Sequence, residues 1–229
     1  WDTAQTVTIT AVDDSVGDGP QLSLVTVSVV DASSDDAWDP LADQTVSVTT
    51  NDNEPYIVTR KVFYNRSAFD GNDPAADSSD DAAIASDKMA LLPGQTAAFG
   101  NYTSYSRGIN GIMVDVANLP AAFTQADLEF KVGNSSDLSE WLAAPAPSSV
   151  TVRGGAGEGG SDRITVIWAD HAIENQWLQI RVLANANTLL AADDVFYFGN
   201  AVGESGNSGD NAQVDVSDES GARLHPRNF

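Results

Sequence analysis

Gly108–Ala117 reads GINGIMVDVA, with Ile109, Ile112, Met113, Val114 and Val116 packed into one short run. The run does not alternate between apolar and polar residues. It is therefore expected to be a strand covered on both faces, central in its sheet. Short runs of strand character lie on either side of it. Upstream is Tyr56–Tyr64, with Ile57, Lys61 and Phe63 facing one way and Tyr56, Val58, Val62 and Tyr64 the other. Ala97–Tyr102 forms a further expected strand. Downstream come Asp127–Val132 (DLEFKV, with Leu128, Phe130 and Val132 inward), Val150–Arg153, Arg163–Trp168 (RITVIW), Trp177–Leu183 (WLQIRVL) and Asp194–Phe198 (DVFYF). Turn-forming stretches separate them: Pro93-Gly94, Pro145-Ala146-Pro147, Gly154–Gly160 and Asn185–Asn187. Gln125–Asp127 and Ser139–Ala143 read as single helical turns, and no long helix is expected. Many short strands joined by turns predict an all-β fold, an antiparallel β-sandwich or jelly roll, over residues 55–203.

Between the first two of these strands lies Phe69–Lys88, FDGNDPAADSSDDAAIASDK. It holds Asp70, Asn72, Asp73, Asp77, Asp80, Asp81 and Asp87, with Lys88 as its own base. Crowded carboxylates repel one another unless a cation intervenes. Bound Ca²⁺ is therefore the expected cofactor, with these side chains as ligands. Arg66 and Arg107 flank the loop in sequence, and their pairing with Asp70 or Asp73 is the competing arrangement.

The whole chain has the same bias. Its 229 residues carry 33 acids against 11 bases, a net charge of -22. Phosphate would be repelled, which excludes nucleic acid as a natural partner and disfavours an anionic membrane surface. No cysteine is present, so no disulfide framework fixes the redox compartment. No run approaches the roughly 18 apolar residues of a membrane span, so membrane insertion is not expected. Trp1-Asp2 does not read as a start, which suggests a processed product or a piece of a longer chain.

Residues 1–54 repeat one device. Gln5–Thr10 (QTVTIT), Ser23–Val30 and Gln44–Thr49 (QTVSVT) each alternate as strands and then discharge into acids: Asp13 and Asp14, then Asp31, Asp35 and Asp36, then Asn51-Asp52-Asn53. The first base of the chain is Arg60. Calcium is again the expected counter-charge, with Asp13, Asp14, Asp31, Asp35, Asp36 and Asp52 as ligands. Gln5–Asp14, Asp31–Asp36 and Gln44–Glu54 resemble the C-terminal half of a Calx-β or cadherin-like repeat. Asn51-Asp52-Asn53-Glu54-Pro55 looks like the calcium-binding linker that ends a cadherin repeat. The resemblance implies a partial Ig-like segment. Three strands leave unpaired edges. Such edges pack on a neighbouring domain or accept strands from another chain, so the expected partners are further copies of this chain in a homopolymer, or other extracellular β modules.

The tail, 204–229, resembles half of a dockerin type I repeat, whose loop follows EF-hand logic. That resemblance places Asn207, Asn211, Asp215 and Asp218 at loop positions 1, 5, 9 and 12, with Val214 as the apolar anchor and Gly209 where an acid is usual. Taken with the tail, residues 56–203 look like a C-terminal module of very large secreted planctomycete proteins. Val62–Asp73, Ala82–Gln95, Ala98–Gly111, Asp194–Asn207 and Val214–Arg223 carry that likeness. It implies an extracellular location and a structural or adhesive setting, with no catalytic residue.

For catalysis, the chain offers two histidines, His171 and His225. Asp170-His171 with Ser161 and Asp162 makes a triad fragment, but no Gly-x-Ser-x-Gly elbow accompanies it. A turn role for His171 is expected, and no enzyme. Trp168 and Trp177, on strands among apolar neighbours, are expected in the core. Trp141, in a loop, is the candidate for stacking on a polysaccharide. Asn65, Asn101 and Asn134 sit in glycosylation sequons. The expected role is a secreted, calcium-stiffened structural protein, a subunit of a fibre, surface layer or adhesin. The alternative is a carbohydrate-binding accessory module of a larger secreted enzyme.

Overall fold

The computed structural model describes residues 3–207 and 212–224. The chain divides into two units, Trp1–Glu54 and Pro55–Phe229.

The first unit contains one antiparallel pair, β1 (Gln21–Val27) and β2 (Gln44–Thr50). Val25 lies opposite Val46, and Leu24 opposite Ser47. The expected third strand, Gln5–Thr10, is not formed: it pairs with no strand among the described residues, and Val7 is 82% exposed. Alternation gives a run the capacity to be a strand, but a strand exists only where a partner supplies the ladder bonds. Leu22, Leu24, Val27 and Val46 are all exposed on the pair.

The second unit is a β-sandwich. Its strands are β3 (Tyr56–Val62), β4 (Tyr102–Thr103), β5 (Gly111–Ala117), β6 (Leu128–Gly133), β7 (Leu142–Ala143), β8 (Ser149–Arg153), β9 (Asp162–Ile167), β10 (Trp177–Val182) and β11 (Asp194–Asn200). One sheet has the order β3-β5-β9-β8; the other, β4-β11-β10-β6-β7. All pairings are antiparallel except the short one between β4 and β11. The core lies between the sheets. Ile112, Val114 and Val116 of β5 and Ile164 and Val166 of β9 meet Leu178, Ile180 and Val182 of β10 and Phe196 and Phe198 of β11. Trp168 is buried there, as expected, and its Nε1 donates to Pro145 O at 2.9 Å.

The expected central strand, β5, sits between β3 and β9 and is covered on both faces. Its second face carries Met113, which packs with Phe63, Ala83 and Ile167. The acidic loop after β3 supplies that cover. Phe63 bridges Ile84, Tyr64 N donates to Ala83 O, and Ala85 N donates to Val62 O. In β3 the expected alternation fails. A bulge between Ile57 and Thr59 shifts the register, so both Ile57 and Val62 reach the core. Within the expected strand Ala97–Tyr102, Phe99–Asn101 forms a 3₁₀ turn, and only Tyr102 lies in a strand, β4.

Among the described residues the tail holds a helix, α1 (Val216–Leu224), which takes in Asp218, expected as the last position of an EF-hand-like loop. Asp215 Oδ1 accepts from Ser217 N, and Asp218 Oδ2 accepts from Asp215 N, a reciprocal cap that starts the helix. Arg223 and Glu219 then pair one turn apart.

Candidate functional site

Two features of the sandwich carry chemistry: an ion-paired brace under the acidic loop, and an aromatic groove on the outside of the five-stranded sheet.

The brace is built on β5 and β9. Asp115 faces away from the core, and Arg163 lies directly opposite it in register. Arg163 Nε and Nη2 donate to Asp115 Oδ1 and Oδ2 at 2.7 and 2.8 Å. Thr59 Oγ1 and Glu158 N also donate to Asp115 Oδ2. Burial alone would push the Asp115 carboxyl up. The guanidinium, the amide and the hydroxyl outweigh it and hold the group below the usual carboxylate range. Arg163 also donates through Nη1 to Asp81 Oδ1 at 2.8 Å, and Arg153 of β8 forms a two-pronged pair with Asp81. Arg163 is held firmly protonated, chiefly by its bonds to Asp115. Two arginines distant in sequence therefore clamp the loop to the sheet.

Backbone amides and neighbouring side chains hold the other loop acids. Asp70 accepts from Arg66 N (2.6 Å) and Asn72 N (2.9 Å); Asp73 accepts from Ala75 N; Asp77 accepts from Ser79 N and Ser79 Oγ. Asn72 N also donates to Ser67 O. Asp87 pairs with Lys88 at 3.3 Å, while Lys88 lies over the Phe99 ring. Asp80 is fully buried. Its Oδ2 accepts from Asp77 N at 3.0 Å, and its Oδ1 has no partner. Burial pushes this carboxyl up to about 6, and the Asp77 and Asp70 charges add to the effect. The competing arrangement, Arg66 or Arg107 paired with Asp70 or Asp73, is not the one formed: both guanidinium groups pair with Asp170.

In the first unit, Asp13, Asp14 and Asp52, with Asp18 and Glu54, line one hollow of about 160 Å³. Asp14 accepts from Val16 N, and Asp52 accepts from Gly19 N and Glu54 N. Asp31 opens a 3₁₀ turn, Asp35 accepts from Ala37 N, and Asp36 is exposed. In the tail, Asp215 and Asp218 form the helix cap, Asp218 Oδ1 also accepts from Ser205, and Asn207 is exposed. Asn211 and His225 lie outside the described residues. Among the described residues, no three Asp, Glu, His or Cys side chains converge as a metal-ligating group.

The aromatic groove rests on a row of three residues across the sheet. Trp177 of β10 lies opposite Gly199 of β11 on one side and Gly133 of β6 on the other. Both glycines are required by close approach. A Cβ on Gly133 would sit 2.6 Å from Trp141 Cγ, and one on Gly199 would sit 2.7 Å from Tyr102 Cβ. Trp141 therefore lies over Gly133. Its Nε1 donates to Ser135 O at 2.8 Å, and its ring meets Tyr197 edge-on at 5.9 Å. Tyr197 Oη accepts from Gln179 Nε2 at 3.0 Å. Trp177 meets Tyr102 edge-on at 6.5 Å. Trp141, Trp177 and Tyr197, with Gln95, Ser136 and Leu138, line an open hollow of about 530 Å³. Trp177 and Asn134 also line a second hollow, of about 420 Å³, with Asn175 and Asn200.

Trp177 thus departs from the reading that placed it in the core. It is half-buried on the outer face, whereas Leu178, Ile180 and Val182 point inward. The strand's own parity was the missed signal: Trp177 alternates with Gln179 and Arg181.

His171 is exposed with a positive φ of 64°, and its Nδ1 lies 3.2 Å from Glu174 Oε2. Asp170 serves Arg107, Arg66 and Asn110 instead of the imidazole. Ser161 Oγ donates to Glu158 O. Of the sequon residues, Asn65 and Asn101 are buried and Asn134 is exposed.

No family model matches the chain, and no curated protein or solved structure matches it significantly.

Proposed function

We propose that this chain is a non-catalytic β module of an extracellular structural or adhesive protein, and that its aromatic groove binds a neutral polysaccharide. The observation that carries the reading is the Gly199–Trp177–Gly133 row, which leaves two indole rings on the outer face of the sheet beside Tyr197. Sugar rings have apolar faces that stack on such platforms, and amide and hydroxyl groups at the margin orient them. Gln95, Ser136 and Asn134 supply those groups. The second hollow beyond Trp177 favours a chain over a single sugar. The net charge of -22 disfavours acidic polysaccharides. The resemblance to secreted planctomycete modules supports the extracellular setting. Affinity electrophoresis through gels cast with a panel of neutral polysaccharides tests the reading. Retardation by at least one of them, lost in Trp177→Ala, is expected. Unretarded migration in every gel would overturn it.

One observation favours a second reading, assembly by strand exchange. In the first unit, β1 and β2 expose Leu22, Leu24, Val27 and Val46. A strand from another copy of this chain would pair with an outer edge of β1 or β2 and set its own side chains beside these on either face. Concentration-dependent association in sedimentation, weakened by Val46→Lys, is the expected result. A monomer at all concentrations would exclude it.

A further inference from the structure

Gln5–Thr10 reads QTVTIT and Gln44–Thr49 reads QTVSVT. The two runs differ at two positions, Thr8 against Ser47 and Ile9 against Val48. Both changes keep the hydroxyl or the branched apolar side chain. The second run makes up most of β2 and pairs with β1. The first has the same side chains in the same order, yet it is exposed along its whole length and lies in no strand.

Residues opposite each other across an antiparallel pair share a face of the sheet. On one face Val25 meets Val46 and Ser23 meets Val48; on the other Leu24 meets Ser47 and Thr26 meets Thr45. β1 has a second edge, which no strand occupies among the described residues. The β2 pattern laid on that edge in the same register sets Val7 beside Val25 and Ile9 beside Ser23 on the first face. On the second it sets Thr6 beside Thr26 and Thr8 beside Leu24. The row of branched side chains and the row of hydroxyls then both continue across three strands. A slip of one residue would put threonines in the valine row.

Sheet edges are commonly guarded by charge or proline. β1, β2 and Gln5–Thr10 carry neither, in a chain with 19% charged residues and a net charge of -22. Two copies repel each other, so they approach most easily where both are uncharged. Within one copy the connecting residues stay at the end of the pair where β1 begins. Ala11–Asp14 line a hollow with Thr50 and Asp52, and Gly19 N donates to Asp52 Oδ2 at 2.6 Å.

We propose that Gln5–Thr10 of one copy pairs antiparallel with the outer edge of β1 in a second copy, Val7 opposite Val25. Each copy carries both donor strand and acceptor edge. Reciprocal pairing closes a dimer, and head-to-tail pairing builds a filament. The inference rests on the strand-exchange reading and names its two partners.

Sedimentation of the full chain across a range of concentrations tests it, with Val7→Pro and Val46→Lys beside the parent. Proline removes an amide donor and does not fit inside a ladder. Val7 is 82% exposed, so the fold of each copy survives the change. Val7→Pro should weaken association about tenfold or more. Val7→Cys chains oxidised with Val25→Cys chains should give the mixed disulfide in several-fold excess over Thr8→Cys with Val25→Cys, whose side chains face opposite sides. The parent has no cysteine to interfere. Association undiminished in Val7→Pro, or equal disulfide yields for Val7→Cys and Thr8→Cys, would overturn the proposal. If Val46→Lys still weakens association in that case, strand exchange itself stands and only this donor falls. A monomer at all concentrations would overturn both.

Discussion

Arg163 and Asp115 face each other across β9 and β5 through two parallel hydrogen bonds of 2.7 and 2.8 Å, on the side of the sheet away from the core. Both are nearly inaccessible, at 5% and 0% exposed. Breaking a buried pair from one side strands the other charge, at a cost of about 3–5 kcal/mol. Arg163→Met should lower stability by an amount in that range, read from the urea midpoint at constant m-value. Adding Asp115→Leu should recover part of the loss. A double variant no better than the single would show that the surrounding shape, not the stranded charge, sets the cost.

The same pair fixes one part of the acid response. The folded-state pKa of Asp115 lies below its ordinary value of 3.8. Its contribution to stability is therefore fully present above about pH 4 and is lost as the pH falls through the lower, folded value. Denaturant midpoints taken down the acid limb should show a steeper fall in the parent than in Asp115→Asn, whose amide does not titrate. Equal slopes would remove Asp115 from the acid response.

Gly133 keeps Trp141 on the sheet, because any side chain there meets the indole. Gly133→Val should displace Trp141, shift its emission and weaken polysaccharide binding about tenfold. Far-ultraviolet dichroism should be unchanged, since Lys131 and Val132 beside it keep their pairing with β10 and β7. An unaltered emission spectrum would mean the ring does not rest on this position.

The framework was legible where one face of an element decides its place. GINGIMVDVA announced a doubly covered strand, DLEFKV announced alternation and WLQIRVL announced a further strand; all three are strands of the sandwich. The cover over β5 was harder to read. The acids of Phe69–Lys88 were weighed against bases nearby in sequence, whereas Arg153 and Arg163 come from strands brought beside them only by folding. Asp115, alone in an apolar run, gave no sign that an arginine would lie opposite it. Val58 gave no sign of the bulge at that point in β3, because a bulge is set by the partner's register, not by composition. Gln5–Thr10 failed for the reverse reason: the pattern is present, but no partner strand lies among the described residues. For the groove, Trp141 was read as a loop residue, and it follows the 3₁₀ turn Leu138–Glu140; its neighbour Trp177 was misplaced because hydrophobicity was given more weight than parity.

Tryptophan fluorescence during titration with the polysaccharide that retards the chain most is the most direct test of the groove. The account predicts a saturable change in emission that survives Trp168→Phe, whose ring is sealed in the core, and disappears in Trp141→Ala and Trp177→Ala with secondary structure intact. A change that persists undiminished in both groove variants would contradict it.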